Sequence, residues 1–344
     1  MRDTVIATAA TVLGDVPADA LGPTLVHEHL YADMTGMLGA HGYDVAADAP
    51  LDPADAAEAR WHPGSFPDNY RLVDTDLTIR ELQPLLRAGC RTVVDATPVG
   101  LGRSPEALAG LARATGLNIV MGCGWYLEAV HPAGLADRPI EDLAAELVGE
   151  LRDGVGDTGI RPGIIGEIGT GAVPAEAEWR VLRAAAWAQR ETGVCVSVHL
   201  HPWSKNGLAV VDVLEAEGVE PGRIVLNHLT TAIDDEAYQL ALLERGVYAC
   251  YDLFGFDHSC LGPGRYAPSD HDAAARVCTL AERGHLGQLL VSQDVGVKTR
   301  LRAFGGWGYA HLFEHVVPLL RAAGLDEDGL ETLLVRNPST VLAA

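Results

Sequence analysis

The stretch TVVDATPVGLGRSPEALAGLARATGLNIVMGCGWY (Thr92–Tyr126) carries the local pattern that decides the fold. It opens with Thr92–Thr97, a short apolar, β-branched run of the kind that forms a strand buried on both faces. Ser104–Gly116 follows with apolar residues at helical spacing. Ser104 suits an N-cap, Pro105 suits the first helical turn, and Gly116 suits a C-terminal stop. Asn118–Cys123 is a second apolar run. Two buried strands joined through a helix run parallel, because a tight hairpin can join only antiparallel neighbours.

The unit recurs in both directions along the chain. Strand candidates are Thr24–His27, Thr92–Thr97, Asn118–Cys123, Gly163–Ile168, Val194–His199, Arg223–His228, Val247–Leu253 and Leu289–Asp294. Helical patterns lie between them, among them Ile140–Gly154 and Glu176–Gly193, the latter stopped by its glycine. Eight β-then-α units predict an α/β protein, a single (β/α)8 TIM barrel domain over residues 1–344. A doubly wound sheet is the alternative, but no GxGxxG follows the first strand. One long irregular insertion, Thr35–Tyr70, follows the first strand and is expected over the C-terminal mouth, with Trp61, Phe66 and Tyr70 as apolar walls.

Composition narrows the function classes. There are 25 Lys+Arg against 47 Asp+Glu, a net charge of −22, spread over helix faces rather than gathered in a tail. Such a surface repels a phosphate backbone and predicts no nucleic-acid partner. The six cysteines are scattered without a CxxC, and the first four sit in apolar strand-like runs, which reads as buried thiols in a reducing compartment. No run reaches the ~18 apolar residues of a membrane span. MRDTVIATAATVLGD is too weakly apolar for a signal peptide, so a cytoplasmic location is expected.

Ligand-type residues gather at the predicted strand ends. In TLVHEHL (Thr24–Leu30), His27 and His29 are two residues apart, so both imidazoles point one way and Glu28 the other. GIIGEIGTG places Glu167 in an apolar, glycine-rich run, where a carboxylate needs a cation or a donor network. His199 ends VSVH, with His201 just beyond it before Pro202; His228 ends RIVLNH, and Asp294 ends LLVSQD. Four histidines and two carboxylates thus converge on strands one, four, five, six and eight. Nitrogen and oxygen donors without thiolate suit Zn²⁺, Mn²⁺ or Co²⁺.

With that ligand order, and with LGPTLVHEHL, GIIGEIGTG, RIVLNHL, LVSQDV, FGGWGYAHLFEHVVPLLRAAGL and RNPSTVLA, the chain resembles the phosphotriesterase-related family of the amidohydrolase superfamily from about Thr4 to Leu342. The resemblance implies two divalent metal ions, zinc foremost, at the C-terminal face of the barrel. His27, His29 and Asp294 would hold the buried ion and His199 and His228 the more exposed one, with Glu167 bridging. Organophosphate-hydrolysing members bridge with a carboxylated lysine, yet GIRPGIIGEIGTG contains none. The glutamate variant resembles members acting on carboxylic esters or N-acyl amides. The resemblance also brings Tyr126 and Asp252 toward the substrate, with His201 near the mouth.

The expected chemistry is attack of a bridging hydroxide on an ester, lactone or amide carbonyl of a small molecule, with Asp294 as the catalytic proton carrier. The Gly-rich FGGWGY lacks the Lys-Ser/Thr of a phosphate loop and reads as a substrate-side turn. Alternatives are a phosphotriester hydrolase, a TatD-like nuclease, which shares the HxH pattern, and a catalytically retired ligand-binding barrel. The partner expected is a small-molecule substrate, without membrane, and a homodimer is allowed.

Overall fold

The computed structural model describes residues 7–40, 45–47, 49–256, 260–262 and 265–344. Eight strands form one parallel sheet in chain order: Thr24–Glu28, Thr92–Asp95, Asn118–Cys123, Ile164–Thr170, Val196–Leu200, Ile224–Leu226, Tyr248–Tyr251 and Leu289–Val291. Helices Thr75–Arg87, Pro105–Thr115, Ile140–Asp153, Glu176–Thr192, Gly207–Ala216, Glu236–Glu244 and Asp270–Leu280 alternate with them. Ser104 caps its helix by accepting the Ala107 amide hydrogen, and Gly116 ends it in the left-handed region at φ 76°. No helix among the described residues is long and apolar enough to cross a membrane.

The sheet closes into the (β/α)8 barrel where its first and eighth strands meet. The Asp294 amide donates to the His27 carbonyl at 3.1 Å, and the His27 amide donates to Ser292 Oγ at 3.0 Å. Glu28, fully buried, reinforces the seam. Its Oε1 accepts from Ser292 Oγ at 2.8 Å and from the Gln293 amide at 2.9 Å, and its Oε2 accepts from the Val295 amide at 2.8 Å. Burial pushes the Glu28 carboxyl up to about 7.

Two apolar layers follow from strand alternation. The larger packs the outer strand faces against the helices. The smaller fills the barrel floor with Val94, Val120, Ile164, Cys195, Val225, Cys250 and Leu290, closed from below by Ala9, Leu21, Val341 and Leu342. Above Cys195 on the same face come Ser197 and then His199, so the barrel interior changes from apolar floor to polar mouth. Cys90, Cys123, Cys195, Cys250 and Cys278 are free and buried, as expected, while the side chain of Cys260 lies outside the described residues.

Part of the Thr35–Tyr70 insertion, residues 41–44 and 48, lies outside the described residues. The rest is tied to the segment after the eighth strand. Asp68 pairs with Lys298 at 2.6 Å, Asn69 Oδ1 accepts the Thr299 amide at 2.8 Å, and Arg60 donates to the Thr299 and Phe304 carbonyls.

Glu28→Gln sets an amide NH₂ against a seam whose partners are all donors, so at least one is left unsatisfied. We expect a loss of about 1–3 kcal/mol in urea unfolding. An unchanged midpoint would show that closure does not depend on this carboxylate.

Candidate metal centre

Backbone irregularities, more than regular alternation, aim the ligands. Val26 packs with the barrel floor, so strict alternation would turn His27 away from the interior. Four residues, Leu25 to Glu28, instead span the three of the partner interval Val93 to Asp95, and this bulge turns His27 inward. The fourth strand repeats the device where Ile165 to Ile168 spans Val196 to Val198, and Glu167 lies in that interval. Its neighbour Gly166 sits at φ 135°, and a Cβ there would lie 2.1 Å from the Ser197 carbonyl oxygen, so only glycine fits.

His228 and Asp294 do not end their strands as the sequence suggested. The strands stop at Leu226 and Val291, and both residues adopt the left-handed backbone, at φ 64° and 52°. That conformation costs a non-glycine residue of order 1–3 kcal/mol and persists only when its surroundings enforce it. The enforcing contacts are visible. The His228 amide donates to Asp252 Oδ1 at 2.9 Å, while the Asp294 amide is held by His27 and its flanking residues by Glu28.

All six expected ligands come together. Glu167 lies at the centre: its Oε1 is 3.5 Å from His29 Nε2, and its Oε2 is 3.5, 3.3 and 3.4 Å from His27 Nε2, His199 Nδ1 and His228 Nε2. Asp294 Oδ1 is 3.2 Å from His29 Nε2 and 3.8 Å from His27 Nε2. Two trios, His27–His29–Asp294 and Glu167–His199–His228, each offer three donor atoms within 4.8 Å of one another. The donor set fits two cations. Both ring nitrogens of His27 and Oε2 of Glu167 are buried with no hydrogen-bond partner, an arrangement too costly to leave uncompensated.

The electrostatics agree with that fit. Burial alone disfavours a His27 cation, yet Glu167, then Asp252 and Asp294, lift its pKa to about 9. Burial likewise opposes ionisation of Asp294, but the His29 hydrogen bond and the charge of His27 hold it at about 2. His199 is pressed down to about 4 by burial and by its neighbour His228. Ionised carboxylates gathered around imidazoles call for positive charge at the centre.

The substrate-side expectations divide. Tyr126 is buried with its hydroxyl 2.8 Å from His199 Nδ1, and burial followed by the charge of Glu167 keeps the phenol protonated. Gly169 makes room for it, since a Cβ there would meet the Tyr126 backbone at 2.3 Å. Asp252 is not on a substrate-facing loop. It is fully buried behind the expected ligands, 3.1 Å from His228 Nδ1, whose ring it orients, and 3.5 Å from His27 Nδ1. His201 stays outside the cluster, half-buried, its pKa lowered by burial and then by the charge of Arg265.

The sequence reading missed two supporting residues. Thr97 Oγ1 is 2.8 Å from His29 Nδ1, and Asp95 accepts the Leu30 amide at 2.6 Å and the Thr97 amide at 3.1 Å. The alternating polar pair in VVDAT was the available signal.

Residues 7–342 match the model of the phosphotriesterase family. The chain belongs to that family. It is 33% identical to the N-acetyltaurine hydrolase of Homo sapiens over 333 residues, covering 95% of each chain, and 30% identical to that of Danio rerio with the same coverage. Among solved structures it resembles a resiniferatoxin-binding protein from Rhodobacter sphaeroides, with TM-score 0.93 and 37% identity over 98% of this chain and 95% of the other. A phosphotriesterase homology protein from Escherichia coli, solved with phosphate in its active site, gives TM-score 0.79 and 29% identity over 94% and 99%. Members of the phosphotriesterase family generally hold two divalent metals, and as a member this chain is a hydrolase.

Elemental analysis of purified protein should find close to two divalent ions per chain. Glu167→Gln should retain less metal after dialysis than Asp294→Asn, because it neutralises the carboxylate that faces all four imidazoles. Equal metal content in Glu167→Gln and the unaltered protein would remove Glu167 from the ligand set.

Proposed function

We propose that the protein hydrolyses the amide bond of a small N-acyl compound at a two-cation centre, with carboxylic esters and lactones as related carbonyl substrates. The observation that carries this reading is the centre itself: one carboxylate, Glu167, within 3.5 Å of four imidazoles, with its inner oxygen and the His27 nitrogens lacking hydrogen bonds. The amide preference is supported by the N-acetyltaurine hydrolases at 30–33% identity. His27, His29 and Asp294 would hold one ion, His199 and His228 the other, and Glu167 would lie between them. Bound divalent cations supply an activated water near neutral pH and a Lewis acid for the carbonyl oxygen.

The chain's own residues then have separable tasks. Asp294 has 20% of its side chain exposed, against 3% for Glu167, so it is the carboxylate that can carry a proton out to a leaving amine. Its low pKa keeps it ionised and able to accept that proton first. Asp252 and Thr97 hold the rings of His228 and His29 in register. Tyr126 keeps a neutral hydroxyl beside His199, where it can orient a carbonyl-bearing ligand.

Asp294→Asn should keep the fold and lower kcat by at least ~10²-fold, since positioned proton transfer contributes 10²–10⁴. Near-normal turnover would take Asp294 out of the chemistry. Panels of N-acyl amides, esters, lactones and phosphotriesters, run on one metal-loaded preparation, test the bond type. A phosphotriester exceeding every carbonyl substrate tenfold in kcat/KM, about 1.4 kcal/mol of transition-state preference, would overturn the assignment.

A further inference from the structure

The segment after the seventh strand forms a small hairpin, Cys260–Gly262 with Arg265–Tyr266. The Tyr266 ring meets Trp61 of the first-strand insertion edge to face, with centroids 5.7 Å apart. The Arg265 guanidinium lies 5.9 Å from the ring centre of Trp203, which follows the fifth strand. Arg60, beside Trp61, bonds the segment after the eighth strand, so the hairpin joins that side of the mouth to the loop after the fifth strand.

That span brings together hydrogen-bond donors without their acceptors. No carboxylate pairs with Arg265 among the described residues, whereas nearby Lys205 is already neutralised by Asp235 at 2.8 Å. The indole Nε1–H of Trp203 is buried with no hydrogen-bond partner, and an indole nitrogen can only donate. His201 Nδ1 accepts the Trp203 amide hydrogen at 3.4 Å, which leaves the ring proton on Nε2. His201 is two residues beyond His199, about 7 Å along an extended chain. A guanidinium, an indole N–H and an imidazole N–H at one rim, within a few bonds' reach of the centre, form a cradle for an anion.

We propose that Arg265, Trp203 and His201 form a subsite for a sulfonate or carboxylate carried a few bonds beyond the scissile amide, so that the preferred substrates are anionic N-acyl compounds. The subsite rests on the amide-hydrolase reading for its catalytic consequence and on the donor cradle for its binding. Arg265 supplies most of the affinity as a bidentate, always-charged partner. Trp203 adds one hydrogen bond and a ring that holds the guanidinium in place.

The test has a kinetic and a binding arm. In the first, kcat and KM are measured for N-acetyltaurine, N-acetyl-β-alanine and neutral N-ethylacetamide. The unaltered protein should favour the anions at least tenfold in kcat/KM. Arg265→Ala should raise KM tenfold or more for the anions, leaving kcat and the neutral amide little changed, and Arg265→Lys should recover part of the loss. Trp203→Phe, which keeps an aromatic face and removes the N–H, should raise KM severalfold for the anions alone. In the second arm, calorimetry with ethanesulfonate should show binding to the metal-loaded protein that weakens with salt and is lost in Arg265→Ala at equal metal content. If no amide is hydrolysed but this Arg265-dependent binding is found, the amide reading fails and the anion subsite stands. Equal preference for neutral and anionic amides, or ethanesulfonate binding indifferent to Arg265, overturns the subsite.

Discussion

Glu28 is the constraint on which the barrel and its centre both depend. A barrel has no free sheet edge only if its last strand finds its first, and here that seam is reinforced by a buried carboxylate accepting three hydrogen bonds from Ser292, Gln293 and Val295. Burying a carboxylate costs several kcal/mol, and three hydrogen bonds to a charged acceptor return roughly 1.5–3 kcal/mol each. Each of the three therefore offsets part of the cost of burying the carboxylate. The donors flank Asp294, and Glu28 itself lies between His27 and His29. The residue that joins the sheet thus also fixes the relative positions of three proposed ligands.

The same logic, applied one layer inward, explains why the centre wants cations. Glu28, Asp95, Glu167 and Asp252 are all buried within the upper barrel, and Asp294 opens only partly to solvent. Asp95 is satisfied by backbone donors and Asp252 by the amide and ring of His228. Glu167 has only imidazole nitrogens, and its inner oxygen makes no hydrogen bond. Protonating the histidines would supply positive charge but would set like charges side by side where His199 and His228 approach to 2.7 Å. Divalent ions would supply the charge and leave the rings neutral, so that four mutually repelling cations would become four ligands.

What the sequence made legible follows from periodicity, and what it concealed follows from breaks in periodicity. Alternating β and α segments, the Ser104-Pro105 start and the Gly116 stop were readable because each depends on local backbone preference. His199 was readable for the same reason, two positions above Ser197 on a regular strand. His27 and Glu167 were found as residue types, but their inward aim comes from bulges that set two residues opposite one, a long-range property of strand register. His228 and Asp294 were placed on strands because their apolar runs continue to them, whereas the chain turns left-handed there to meet Asp252 and the Glu28 seam. Asp252 was assigned to the substrate side because nothing local shows that its carboxylate meets a histidine just past the sixth strand. Arg265 was invisible as a mouth residue because its position depends on a hairpin crossing to Trp203.

These two classes of residue differ in how freely they can change. The proposed ligands are held by hydrogen bonds that also maintain the barrel, so altering Glu28, Asp252 or Gly166 disturbs stability and geometry together. The residues spanning the mouth are held by contacts between exposed aromatics: Trp61 and Tyr266 are 59% and 44% exposed and meet at a ring edge. An aromatic pair of this kind contributes only about 0.5–1.5 kcal/mol beyond area burial. Exchanging such residues costs little folding free energy while it reshapes what the centre can admit. A fold so divided can hold its proposed centre fixed at the base of the mouth while its rim changes, which is consistent with related barrels named for such different ligands as N-acetyltaurine and resiniferatoxin.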